Sequence, residues 1–274
     1  MTYKSILVQA EPGERADARV KCAADLADRF EALLIGVGSA CTPPAGFAEP
    51  YNAFGAEWAV GLRDQLESDL RSAEASFRRG CGSRASTWLV RRVEPATALI
   101  DAARTADLIV LGGARPPNPG TYNSADVTRV LLTSGRPVLI APPEGDYCKA
   151  RQILVAWKDT PETRRAVADA MPLLERADDV VVLELCDPSE LATAQLHTAE
   201  VASALARHGV KARAEAEVCD AGRITATLLD RAGRQGADLM VAGAYGHSRL
   251  GEWVFGGVTR DLLHQAQLFV FFSR

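Results

Sequence analysis

The sequence predicts two tandem α/β domains, each an open, mainly parallel five-stranded sheet flanked by helices. One observation is an internal repeat. Ala106-Asp107-Leu108-Ile109-Val110-Leu111-Gly112 returns 131 positions later as Ala237-Asp238-Leu239-Met240-Val241-Ala242-Gly243, and the same shift carries Val127-Thr128-Arg129 onto Val258-Thr259-Arg260. A repeat of this length is a domain duplication, since a solenoid unit would recur every 20 to 50 residues or about that. The other observation is that short apolar runs alternate with helical periodicity in both halves, which calls for parallel strands joined by crossover helices.

In the second half, Ile153 to Trp157 is a short apolar run, Thr163 to Glu175 a helical stretch and Val180 to Leu185 a β-branched run suited to a strand covered on both faces. Ser189 to His208 reads as a helix that Gly209 can end in a left-handed conformation. Lys211 to Val218 alternates like a strand, and Ile224, Leu228, Leu229 and Ala232 form a helical stripe. Leu239 to Ala242 is the next strand, Gly257 to Gln265 a helix and Leu268 to Phe272 the last strand. The first half keeps this order, beginning with Ser5-Ile6-Leu7-Val8-Gln9 against Gln152-Ile153-Leu154-Val155-Ala156. That match runs from Ile6 to Ile153, a shift of 147, so the first half carries extra residues. They include the proline-rich segment Ser39 to Gly55, either a flap over a site or a packing insert, and a long helix bearing Leu62, Leu66, Leu70, Ala73 and Phe77. Pro142-Pro143-Glu144-Gly145-Asp146 interrupts both patterns and marks the boundary between domains at 1–145 and 150–274.

Composition narrows the function. Hydrophobic residues at 47% and charged residues at 24% give a chain able to bury a core. A formal net charge of −4 supplies no positive field for nucleic acid or anionic lipid. The first apolar run is too short for a signal peptide or a membrane span, so a cytoplasmic location is expected. The six cysteines lie apart, without a CxxC pair, and read as reduced structural thiols with no metal site.

The chemistry-bearing motif follows the fourth strand of the second half. Gly243-Ala244-Tyr245-Gly246 is followed by nine residues and then by Gly256-Gly257-Val258-Thr259 at a helix start. Open α/β sheets take ligands at the carboxyl ends of their strands, and this loop leaves such an end. Glycines let backbone approach a ligand closely, while the N–H groups of Gly257, Val258 and Thr259 offer donors to an anion. The Thr259 hydroxyl either adds a donor or caps its helix. His247 and Arg249 lie within the intervening loop, where Arg249 can reach a phosphate oxygen.

The set Gly243, Gly246, Gly256, spaced Gly-x2-Gly-x9-Gly after a fourth strand, resembles the signature of the universal stress protein family, and the repeated strand pattern extends the resemblance over nearly the whole chain. The resemblance implies a Rossmann-like fold of the nucleotide-binding α hydrolase type. It implies ATP or a similar adenine nucleotide as ligand of the C-terminal domain, with Mg as an open companion. In nucleotide-binding relatives a Ser or Thr follows the third glycine, whereas Gly257 stands here. Relatives often carry an acid just past the first strand; Lys158 aligns there, with Asp159 one position late. The resemblance also places Leu185 and Cys186 near the base, ordinary strand packing being their alternative role.

The first half has lost the loop. Gly112 survives, but Arg115, Ala125 and Asp126 occupy the places of Gly246, Gly256 and Gly257. A carboxylate at the helix start suits the helix dipole and repels phosphate, and Arg115-Pro116-Pro117-Asn118-Pro119 is stiff and poor in N–H groups. No nucleotide is expected there by this mode. The apolar last strand Leu268 to Phe272 would be an unprotected edge alone, and Val138-Leu139-Ile140-Ala141 is its natural partner. By resemblance, these edges join the domains as a homodimer of single-domain relatives would be joined; homodimerisation of the whole chain stays open.

No Ser-His-Asp order, HExxH helix or Walker loop is present, and His197, His208 and His264 read as surface or capping residues. No catalytic residue is assigned. The expected function is a stress-response regulator that binds nucleotide and hydrolyses ATP slowly at most, with a nucleotide-independent scaffold or a small-ligand regulator using the N-terminal domain as the alternative.

Overall fold

A computed structural model describes residues 2–41, 53–113, 123–245 and 257–274 of the chain. The first half contributes β1 (Ser5–Ala10), α1 (Glu14–Phe30), β2 (Leu33–Ser39), α2 (Ala53–Cys81), β3 (Ser86–Arg91), α3 (Pro95–Ala102), β4 (Leu108–Gly112), α4 (Val127–Thr133) and β5 (Val138–Ala141). The second half follows with β6 (Gln152–Trp157), α5 (Pro161–Leu174), β7 (Asp179–Cys186), α6 (Leu191–Ala206), β8 (Ala212–Val218), α7 (Ile224–Arg234), β9 (Leu239–Gly243), α8 (Gly257–Gln265) and β10 (Phe269–Ser273).

Among the described residues these strands form one ten-stranded sheet in the order β3-β2-β1-β4-β5-β10-β9-β6-β7-β8. Pairing within each half is parallel, as crossover helices require. The halves meet where β10 runs antiparallel to β5, with Val270 opposite Ile140 and Phe271 opposite Leu139. Phe271 and Phe272 are thereby fully buried in mid-sheet.

Alternation along each strand assigns the two faces. Ile6 and Val8 of β1 join the core under α1, α2, α5 and α6, while Leu7 joins the core under α3, α4, α7 and α8. The repeated Ala-Asp pair has a structural reason. Asp107 accepts from the N–H groups of Lys4 and Ser5, and Asp238 from those of Arg151 and Gln152, so each aspartate caps the start of its half's first strand. Gly209, at φ 78°, follows α6 in the left-handed region as its position requires. The Pro142–Asp146 junction is tied down: Gly145 N–H donates to Pro142 O, and Lys21 pairs with Asp146 at 2.6 Å. Residues 42–52, the centre of the proline-rich segment, and the stretch from Arg115 to Pro119 lie outside the described residues.

Candidate functional site

In the second half the chain leaves β6 for β7 on one side and later returns as β9 on the other, so the strand order reverses between β6 and β9. Crevices at the carboxyl ends of such strands are where open α/β sheets hold ligands. A cavity of about 500 Å³ lies there. Its apolar floor includes Leu183 and Leu185 of β7, Ala242 of β9 and Phe272 of β10. Ile224 and Leu228 of α7 close one side, and Lys158 with the first turns of α5 and α8 supplies the polar rim.

The two helix starts are unequal as anion sites. At α5, Pro161 has no N–H and the Thr163 N–H is already given to Thr160 Oγ1 at 3.4 Å. At α8, the amides of Gly257, Val258 and Thr259 have no carbonyl of their own helix within reach. None of the hydrogen bonds among the described residues takes those N–H groups. Among the described residues, the first amides of α8 are therefore free donors at the cavity rim.

The glycines at the two ends of the loop differ. A Cβ on Gly243 would stand 2.6 Å from Thr163 N and 2.8 Å from Thr163 Oγ1. Its bareness admits the backbone of α5, so the glycine serves packing at the cavity wall. A Cβ on Gly257 would meet nothing within 4 Å among the described residues.

The Thr259 hydroxyl has a partner within the chain and keeps its own O–H to donate. Its Oγ1 accepts the Tyr245 N–H at 3.2 Å, which closes the base of the loop. Tyr245 is held in the left-handed region at φ 54°, and its hydroxyl lies 3.0 Å from Thr128 Oγ1 of α4. The loop's base is thus anchored to the other half.

Of the residues read from sequence, Gly243, Gly257, Val258, Thr259 and Leu185 line this cavity together. Gly246, His247, Arg249 and Gly256 lie outside the described residues. Asp159 is off the cavity: its carboxylate accepts from Arg164 Nη2 at 2.6 Å and Nε at 3.2 Å, an i,i+5 pair across the start of α5. Cys186 is off it as well, since its position in β7 has the opposite parity to a face lined by Leu183 and Leu185, and its Sγ lies 3.8 Å from Glu217 O. Lys158, where an acid was sought, is on the rim with Nζ 3.9 Å from Glu190. Sequence reasoning missed Thr160 and Thr163, although Thr160-Pro161 is itself a helix-start signal. His197 is not a bare surface residue, as its Nδ1 lies 3.3 Å from Glu184 Oε2 on the α6 side of the sheet. No group of His, Cys, Asp and Glu among the described residues is arranged to hold a metal.

Residues 149–272 match the model of the Universal stress protein family. No curated protein matches the sequence. Among solved structures, a universal stress protein from Archaeoglobus fulgidus DSM 4304 is similar at a TM-score of 0.72 and 12% identity, over 98% of this chain and 96% of its own. A functionally unknown protein from Pseudomonas aeruginosa PAO1 is similar at a TM-score of 0.58 and 16% identity, over 99% of this chain and 92% of its own. At these identities the likeness is one of fold, and it runs the length of the chain.

Proposed function

We propose that this chain, whose residues 149–272 are a universal stress protein domain, is a stress-response regulator that binds an adenine nucleotide, ATP or a close analogue, in the cavity between β6 and β9. Residues 1–145 and 150–274 are its two units, and only the second takes nucleotide. The observation that carries this reading is the pairing of free α8 amides with an apolar floor in one cavity of about 500 Å³. That volume lies within the range of roughly 300 to 1,000 Å³ usual for small-molecule pockets. The amides of Gly257, Val258 and Thr259 would hold the phosphates at the positive end of α8, with Lys158 as a nearby cation. Leu183, Leu185, Ile224 and Leu228 offer the base an apolar slot.

Bound nucleotide supplies charge and contact area, and binding stabilises the state of the chain that holds it. The activity proposed is regulatory: nucleotide held in the cavity shifts the chain toward the state that binds it. A Mg ion would come with the phosphates, not with a protein-built site.

Equilibrium binding of labelled ATP to wild type and Gly257→Glu tests this reading. The glutamate meets no atom of the described residues, and its carboxylate meets the phosphates where Asp126 stands in the first half. A loss of at least about tenfold in affinity is expected. Equal affinities would remove the α8 start from the site. The alternative, a scaffold that needs no nucleotide, is favoured by Lys158 standing where relatives carry an acid. It requires that ATP with Mg leave the thermal midpoint of the wild type unchanged.

A further inference from the structure

A second cavity, of about 230 Å³, lies at the seam between the halves. The ends of β1 and β4 form one wall through Gln9, Glu11 and Gly112, and α1 adds Arg15 and Arg19. The other half supplies the end of α8 and the turn after it, including Leu262 and His264. It is smaller than the usual small-molecule range of roughly 300 Å³ and above, which suits a ligand smaller than a nucleotide.

Arg19 is the unusual member. It is only 3% exposed. Its Nε donates to Gln9 O at 3.0 Å and its Nη2 to Glu11 Oε1 at 3.1 Å. Its Nη1 donates to no acceptor among the described residues, and it lies 2.6 Å from where a Cβ on Gly112 would stand. The same strand-end glycine that admits backbone in the second half here admits a guanidinium edge. A buried guanidinium is costly unless its donors are matched, so an edge left over at a cavity wall calls for an acceptor oxygen.

Among the described residues, two cations, Arg15 and Arg19, and one carboxylate, Glu11, line the cavity. Arg15, one helical turn before Arg19, is exposed and also lines the cavity, and His264 faces it from α8. Of the carboxylates nearby, Glu11 is engaged by Arg19. Asp126, between the lining residues Ala125 and Val127, accepts the Arg129 N–H at 3.1 Å as the cap of α4. With Glu11 offset by Arg19, the surplus positive charge is that of Arg15, and Arg19 adds a planar donor edge of the kind that binds carboxylate or phosphate oxygens.

We propose that the seam cavity is a binding site for a small oxyanion, a carboxylate or phosphate group seated on Arg19 with Arg15 at its mouth. The site is built from both halves. It shares α8 with the larger cavity, since Leu262 lines both. The inference stands whether or not the larger cavity takes nucleotide.

Equilibrium dialysis of the full chain against labelled inorganic phosphate and, separately, labelled succinate tests it, with ionic strength held constant by chloride. Saturable binding of either probe is expected, and the probe that binds names the ligand class. Arg19→Lys keeps a cation facing Glu11 but removes Nη1, and Arg15→Gln changes an exposed side chain that the fold does not need; a loss of about tenfold in either is expected. Ala221→Trp, which fills the larger cavity from an exposed position, leaves the binding unchanged. The proposal is overturned if neither probe binds, if both arginine variants bind as wild type does, or if Ala221→Trp abolishes binding.

Discussion

Gly243 and Gly257 stand at the two ends of one loop, yet they answer to different neighbours, and substitution separates them. Gly243→Ala drives a methyl to 2.6 Å from Thr163 N, and overpacking of this kind costs about 1 to 3 kcal/mol. Gly257→Ala meets nothing within 4 Å among the described residues and should shift the midpoint of urea unfolding far less. A large loss at Gly257 and none at Gly243 would contradict the packing described. The sequence shows both as glycines after a strand and at a helix start; it does not show that α5 presses on the first, because that contact joins residues about eighty positions apart. Asp159 is held off the cavity lining by a local pair with Arg164, five positions on, which residue type alone does not announce. The cysteines, by contrast, were legible from their apolar settings. Burial pushes the Cys22 thiol up to about 12, and burial likewise raises Cys148 well above the ordinary thiol range. Both stay protonated at pH 8 in the folded chain, so neither should react with a thiol reagent until the protein unfolds; rapid labelling of Cys22 in native protein would refute this.

Strand and helix order was readable because each segment carries its own period, and the ends of elements were readable where a local signal exists, as at Thr160-Pro161 and Gly209. The helix α3 has a start of another kind. Pro95 fills its first position, and Glu94 accepts the N–H groups of Ala96 and Thr97 at 2.9 and 2.8 Å. Burial raises the Glu94 carboxyl, but those N–H bonds, the Thr97 hydroxyl and Arg129 outweigh it and hold the group below the usual glutamate range. Because the folded value is depressed, the stabilisation is fully present above the unfolded-state value near 4.3 and is lost as pH falls through the folded one. Glu94→Ala should therefore cost about 1 kcal/mol at pH 7, and the gap to wild type should close in acid. A gap that is constant from pH 7 to pH 3 would count against the cap. The cavities were less legible than the elements. The apolar floor joins side chains of β7, α7 and β10, and the seam cavity joins α1 to α8, so both depend on how distant elements are stacked.

At the scale of the whole molecule, β5 and β10 turn two five-stranded sets into one sheet, and contacts across the seam reinforce them. Tyr3 Oη donates to Asp169 O at 2.7 Å, Arg176 Nη1 donates to Arg29 O at 2.6 Å, and the Arg176 guanidinium lies over the Phe30 ring. With Phe271 and Phe272 at the centre, the halves should unfold together. Phe271→Ala should lower stability by about 3 to 5 kcal/mol, read equally by probes placed in either half. A drop confined to the second half would show that the seam is weak. The repeat announced the duplication, whereas the continuous sheet follows from an edge too apolar to leave in water. If the first amides of α8 face the ligand, hydrogen exchange at Gly257, Val258 and Thr259 with and without saturating ATP reads them directly. Exchange there is expected to slow by at least about tenfold on binding. Unchanged exchange at those three amides, in protein shown to be saturated with ATP, would contradict that orientation.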